Sequence, residues 1–194
     1  AALGRLSARL QQDGAAWSPP GAGEVLRADR VLYWRLPDRL AEAGSRFGFG
    51  TLFTDAQDRA QSVVAALWRD PPHPPHLVHG DLTPANVIVS ARHGLVPVDF
   101  QDLVWGLDVQ DLSFTVAALS RWPDGDRLVD AFRGGYGECR SWPEVSPALF
   151  GSLIAARALQ QVNLTLSRPD RTELEGYVVR HAERIRAWMG RPGL

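Results

Sequence analysis

Residues 77–99 constrain the fold more than any other part of this 194-residue chain. Leu77-Val78 enters the loop His79-Gly80-Asp81-Leu82-Thr83-Pro84-Ala85-Asn86, and Val87-Ile88-Val89 leaves it; Ala91-Arg92-His93-Gly94 then turns the chain into Leu95-Val96-Pro97-Val98, ahead of Asp99-Phe100. Two short apolar runs joined by a Gly-containing turn predict a β-hairpin. The hairpin carries Asn86 at its start and Asp99 at its end, so strand pairing brings an amide and a carboxylate side by side. Pro97 cannot donate to a ladder and predicts an edge strand or a bulge.

The spacing of Asp81, Asn86 and Asp99 suits phosphoryl transfer. That chemistry asks for a carboxylate to accept the proton of an attacking hydroxyl, and for divalent metal held against phosphates. Asp81 is the candidate base. The amide oxygen of Asn86 and the carboxylate of Asp99 are hard oxygen ligands of the kind Mg²⁺ prefers. His79 is expected to pack beneath the loop and hold its backbone. Ile88 and Val98, which flank the two metal ligands, are candidates for an apolar floor beneath an adenine.

His-Gly-Asp-Leu-Thr-Pro-x-Asn at 79–86, with Val-Asp-Phe-Gln-Asp at 98–102, then Gly106 and Asp111-Leu112, resembles the aminoglycoside/choline phosphotransferase family of kinase-like enzymes. It is closest to the homoserine-kinase and stress-response-kinase branch. There, Asp-Phe-Asp-Asp is usual; Gln101 replaces the first of the added acids here and Asp102 matches the second, so both are candidates for acceptor binding. The likeness extends from a Leu3–Leu10 helix through Ala131–Tyr136 to the C-terminal helices. It implies ATP and Mg²⁺ as cofactors, a hydroxyl acceptor (homoserine, choline, an aminoglycoside, or protein serine/threonine), and a nucleotide-binding N-terminal lobe with a phosphate loop and a lysine. The chain has no lysine. Gly44-Ser45-Arg46-Phe47-Gly48-Phe49-Gly50, the one Gly-rich candidate, reads as a flexible loop. Residues 1–194 are therefore expected to form a single C-terminal catalytic lobe, mainly α with a small β-hairpin, of a protein-kinase-like α+β fold. The N-terminal lobe would be absent, the isolated chain inactive, and its lobe-facing surface apolar and prone to self-association.

The rest of the sequence organises that lobe. A helix is expected with Leu3, Leu6 and Leu10 on one face and Gly14 just after it. Residues 17–53 read as an extended linker with a short helix near 37–43. Asp55 is expected to cap a helix with a buried stripe of Ala56, Ala60, Val63, Val64 and Leu67, ended by Pro71–Pro75. Asp111 is assigned structural support, as the cap of a helix over 112–120. Further helices are expected over 126–136, from Ser146-Pro147 to about 167, and from about 171 to 189.

Composition narrows the function classes. A formal net charge of −1 makes no case for nucleic acid. The single cysteine, Cys139, has no internal partner, which points to a reducing, cytoplasmic setting. No apolar stretch reaches the length of a membrane span. Three other readings are open at this level. His73, His76, His79 and Asp81 superficially resemble a metallohydrolase site, although Pro74 and Pro75 prevent a helix from aligning the first two imidazoles. The chain also fits a non-catalytic kinase-like binding module. Trp105, Trp122 and Trp142 could cage a quaternary ammonium, against the plainer reading of tryptophan as core.

Overall fold

The computed structural model describes residues 1–17, 22–168 and 173–191. Seven helices and four short strands appear among them: α1 (Ala2–Ala16), α2 (Leu40–Arg46), α3 (Leu52–Arg69), β1 (His76–Val78), β2 (Val87–Ser90), β3 (Gly94–Pro97), β4 (Val104–Gly106), α4 (Asp108–Leu119), α5 (Gly125–Gly137), α6 (Pro147–Leu166) and α7 (Leu174–Met189). They divide into two compact units. Residues 1–28 and 71–145 make the first, residues 29–70 and 146–194 the second. The architecture is mainly α with small antiparallel sheets, as expected.

In the first unit, β2 and β3 form the expected hairpin, with Val87 opposite Pro97 and Ile88 opposite Val96. Pro97 is tolerated because this is a two-stranded ribbon, in which each strand is an edge. A second ribbon, which the periodicity does not announce, pairs β1 with β4, Leu77 opposite Trp105. Three-residue strands are too short to show alternation; the buried run His76-Leu77-Val78 acquires its strand character from a partner 28 residues away.

Helix α1 turns the other way from its leucine pattern. Gly4, Ser7, Ala8 and Gln11 are the buried positions, while Leu3, Leu6 and Leu10 are only half-buried. The reason is how closely α1 approaches its neighbours. A Cβ on Gly4 would sit 2.0 Å from the Phe132 carbonyl oxygen of α5, and one on Gly14 2.0 Å from the Leu77 carbonyl oxygen of β1. Only a small-residue face can come that near, and Gly14 lies inside the helix to make the contact with β1.

Helix α4 is buried at nearly every position, from Asp108 through Val116 and again at Ala118 and Leu119. It begins at Asp108, with Leu107 as its N-cap residue, so Asp111 does not cap it. Asp111 lies in the first turn, and its carboxylate is spent elsewhere, as described below.

The second unit packs α3 against α6 and α7, and α6 against α2. Helix α3 starts earlier than expected. Thr51 is its N-cap residue, and Asp55 sits within the first turn, accepting the Thr51 hydroxyl at 2.8 Å. Its buried stripe is Phe53, Ala56, Ala60, Val64 and Leu67, with Val63 at the margin. Helix α2 ends in the Gly-rich segment, where Gly44 is helical and the chain turns with left-handed backbone at Gly48 and Gly50. That segment is a helix terminus. Ser146 caps α6, accepting the Leu149 N–H at 3.1 Å, as Ser-Pro predicts. Of the last expected helix, residues 171–172 lie outside the described residues, as do 18–21 in the expected linker. No described helix is long and apolar enough to cross a membrane.

Candidate active site

The loop between β1 and β2 is held by its own hydrogen bonds. The Thr83 N–H donates to the Asp81 carbonyl at 2.8 Å and the Asn86 N–H to the Thr83 carbonyl at 3.0 Å, closing a single 3₁₀ turn with Pro84 at its first position. The Asn86 amide nitrogen donates to Asp81 twice, to its carbonyl at 2.8 Å and to its carboxylate Oδ2 at 3.0 Å. Asn86 thereby orients the carboxylate of Asp81. Because the nitrogen end of the amide is occupied, the oxygen end is directed away from Asp81.

The hairpin extends one pair past its strands. The Val98 N–H donates to the Asn86 carbonyl at 3.0 Å, so Asn86 faces Val98 and Asp99 follows directly. Asn86, Ile88, Val96 and Val98 share one face of this ribbon by alternation. Ile88 is 56% exposed there and Val98 half-buried, so an apolar strip runs beside Asn86. Asp99 has φ 63° and ψ 60°, the only left-handed non-glycine among the described residues. Asp tolerates this region better than most residues, and such strain persists only where the surroundings over-determine it. The turn at Asp99 leads into a 3₁₀ segment over Phe100–Asp102. Gln101 is exposed there and Asp102 half-buried.

His79 ties the two halves together. Its Nδ1 accepts the Asp81 N–H at 3.4 Å, which leaves the proton on Nε2 to donate to the Val98 carbonyl at 3.0 Å. The ring also lies against Phe100, centroids 4.7 Å apart. The loop comes close to the turn after Asp99: Gly80 has φ 78°, and a Cβ there would stand 2.2 Å from the Asp102 carbonyl oxygen. Beneath, the Thr115 hydroxyl donates to the Leu82 carbonyl at 2.7 Å and Asp111 Oδ1 accepts the Gly80 N–H at 2.9 Å. Asp111 is 1% exposed, and burial raises its pKa from the ordinary aspartate value. The Gly80 N–H, His79 and Gln11 oppose that shift, and neighbouring Asp108 adds to it.

The histidine run does not converge on Asp81. The Nε2 atoms of His73 and His76 lie 3.0 and 2.9 Å from the two carboxylate oxygens of buried Asp108, whose Oδ2 also meets Arg140. The His76 contact is close but off hydrogen-bond alignment. His79 is turned to Val98, and no set of three His, Cys, Asp or Glu among the described residues is arranged to hold a metal. The metallohydrolase reading is corrected accordingly: His73 and His76 both turn to Asp108 and His79 turns to Val98, so the run does not gather around Asp81. Of the three tryptophans read as a cage, Trp105 lies on β4 opposite Leu77. Trp142 packs edge-on to Phe132 and Tyr136, whereas Trp122 is 56% exposed in the turn after α4.

The donor set at the loop suits a hard dication, with an amide oxygen whose nitrogen is already spent and a carboxylate on an exposed, left-handed turn. Asp111, Gln11 and Thr115 escape a local reading as loop supports. Asp111 gives no local signal either, since Leu107–Val116 also carries Asp108, Gln110, Ser113 and Thr115.

Fold and loop together define a kinase-like α+β protein. The model of the phosphotransferase enzyme family (APH) matches residues 1–148, and the chain belongs to that family. No curated protein matches it in sequence. Among solved structures it is similar to a microcompartment-associated aminopropanol kinase, with TM-score 0.69, 21% identity, and coverage of 94% of this chain and 58% of that one. It is also similar to an amicoumacin kinase in complex with AMP-PNP, Ca²⁺ and Ami, with TM-score 0.70, 15% identity, and 96% and 57% coverage. A candidate fructosamine-3-kinase from Thermobifida fusca YX-ER1 gives TM-score 0.57, 21% identity, and 98% and 65% coverage. The chain thus spans less than two thirds of each of these proteins.

Proposed function

We propose that residues 1–194 supply the catalytic lobe of a phosphotransferase that moves the γ-phosphoryl group of ATP to the hydroxyl of a small molecule. The observation that carries this reading is the double hydrogen bond from Asn86 to Asp81, on a hairpin that brings Asn86 beside Asp99. Asp81 receives the hydroxyl proton on its carboxylate. Asn86 fixes that carboxylate's rotamer, and His79 fixes the backbone on either side of it. Asn86 Oδ1 and the Asp99 carboxylate would hold Mg²⁺, which when bound neutralises phosphate charge. Ile88 and Val98 lie under the adenine and exclude water from it. Gln101 and Asp102 border the acceptor; of the similar structures, one is an aminopropanol kinase and another a candidate fructosamine kinase, acceptors that bear both amine and hydroxyl. The protein works in the cytoplasm, where ATP and Mg²⁺ are supplied.

A complementary lobe with the phosphate loop and a lysine completes the cleft. Without it, solvent screens the attraction between phosphates and metal, and the positioning that dominates the rate of phosphoryl transfer is lost. The 194-residue chain alone is expected to bind MgATP weakly, to turn over no acceptor, and to self-associate through the exposed apolar strip at Ile88. Calorimetry with MgATP on the lobe-completed protein tests the metal assignment: Asp99→Ala should abolish most of the binding heat. Unchanged affinity in that variant would remove Asp99 from the site, and acceptor phosphorylation by the 194-residue chain alone would refute the division of labour.

A further inference from the structure

Asp111 holds Gly80, the residue before the base, and a second layer of buried groups holds Asp111. Gln11 of α1 is 0% exposed, and its Nε2 lies 3.3 Å from Asp111 Oδ2 and 3.4 Å from the Asp108 carbonyl oxygen. A backbone carbonyl only accepts, so the end of the amide facing it must be the nitrogen. The other end, Oε1, receives the hydroxyl of Tyr136 at 2.7 Å. Tyr136, on α5, is also 0% exposed, and its phenol keeps its proton well above the ordinary range because burial, and then Asp108, disfavour the anion. The hydroxyl therefore remains a donor and pins the Oε1 end of an amide whose nitrogen end is already set by two acceptors.

We propose that Gln11 and Tyr136 are positioning residues for the base: Tyr136 orients Gln11, Gln11 orients the Asp111 carboxylate, and Asp111 fixes Gly80 and with it the backbone of Asp81. The relay runs from α5 through α1 to α4 and ends on the loop. The glycine contacts of α1 acquire a purpose here. The close approach at Gly4, and at Gly135, where a Cβ would lie 1.9 Å from the Ala1 carbonyl oxygen, sets the crossing of α1 and α5 on which the amide–phenol bond depends. Ordinary core packing would fill this space with carbon; a fully hydrogen-bonded polar chain fixes angles as well as distances.

The inference rests on Asp81 as the base for its catalytic meaning, but the relay is testable without activity. In the ¹⁵N-labelled 194-residue protein, the Gly80 amide reports the Asp111 bond directly. Tyr136→Phe keeps the ring against Trp142 and leaves Gln11 Oε1 without its donor, which loosens the amide's hold on Asp111; Gly80 exchange should accelerate about 3- to 10-fold, the loss of one buried hydrogen bond, with the β1–β4 amides unchanged. Gln11→Glu sets a carboxylate beside Asp111, and two such groups share a proton. The Gly80 resonance should then acquire an added titration step absent from the parent, which simple loss of packing does not produce. In the lobe-completed protein, with MgATP hydrolysis as probe, kcat should fall in both variants and KM for MgATP should stay within about twofold. Unaltered Gly80 exchange in Tyr136→Phe would overturn the relay, whether or not Gln11→Glu folds. If Gly80 responds while Asp81→Asn leaves hydrolysis intact, the relay stands and the base assignment falls.

Discussion

Both compact units bury polar side chains, and they use them for different ends. In the second unit, Asn163 accepts the Arg39 N–H at 2.7 Å and donates to the Pro37 carbonyl at 3.1 Å, while the Arg39 guanidinium reaches the Leu166 carbonyl near the end of α6. Those bonds fasten an irregular segment to a helix, and nothing further is presented. In the first unit, Gln11, Asp111, Thr115 and His79 fasten a loop whose side chains Asp81 and Asn86 are only half-buried and whose neighbour Asp99 is exposed. Buried polar bonds cost about as much to leave unmade in either place. What differs is the object being held: a connection in one unit, a set of chemical groups in the other.

The sharpest separation should come from Asp81→Asn. It removes the proton acceptor and keeps the shape, so turnover of the lobe-completed protein should fall by about 10²- to 10⁴-fold with MgATP affinity and thermal unfolding nearly unchanged. A large loss of stability instead would mean that the first unit uses this carboxylate as the second unit uses Asn163. Next, Asp108→Ala should destabilise the chain by about 3 kcal/mol in urea unfolding, because it strands buried His76 and partly buried His73 and Arg140 without their anion. Asn163→Ala should cost about 1–3 kcal/mol, two buried hydrogen bonds, and leave nucleotide binding alone. A change in MgATP affinity there would erase the contrast between the units.

The smallest effect is a pH slope. Burial holds the Asp111 carboxyl above the ordinary aspartate value of 3.8, so its protonated form favours folding. Its contribution is complete below pH 3.8 and is lost as pH rises through the folded value. The unfolding free energy of the parent relative to Asp111→Asn should therefore decline as pH rises above 3.8, and a difference that grew with pH would show that the Gly80 and Gln11 bonds outweigh burial.

Short-range features were legible before the structure, and long-range ones were not. The hairpin follows from two apolar runs and Gly94, and the α6 cap from Ser146-Pro147, because each signal lies within a few residues of what it specifies. The face of α1 was misread because leucine spacing predicts burial only when the partner surface leaves room for leucine, and α5 presents backbone at Gly4. An acid at a helix start most often serves as a cap, but the partner of Asp111, the Gly80 N–H, is 31 positions away. Gln11 carries no local mark at all. The loop itself could be read from its residues, whereas its supports come from α1, α4 and α5 and become visible only when those helices meet.

The left-handed backbone at Asp99 has a stereochemical consequence. At φ 63° and ψ 60° the mirror-image amino acid, D-aspartate, would be at rest, and glycine nearly so. Yet neither could replace the natural residue: glycine has no carboxylate, and D-aspartate exchanges the Cβ with the α-hydrogen and sends its carboxylate along a different bond vector. Chirality forces this position to choose between a relaxed peptide and a carboxylate on the L-residue's bond vector. An L-residue here bears that strain, and a semisynthetic chain carrying D-Asp99 would fold more easily at that turn while sending its carboxylate along the other bond vector.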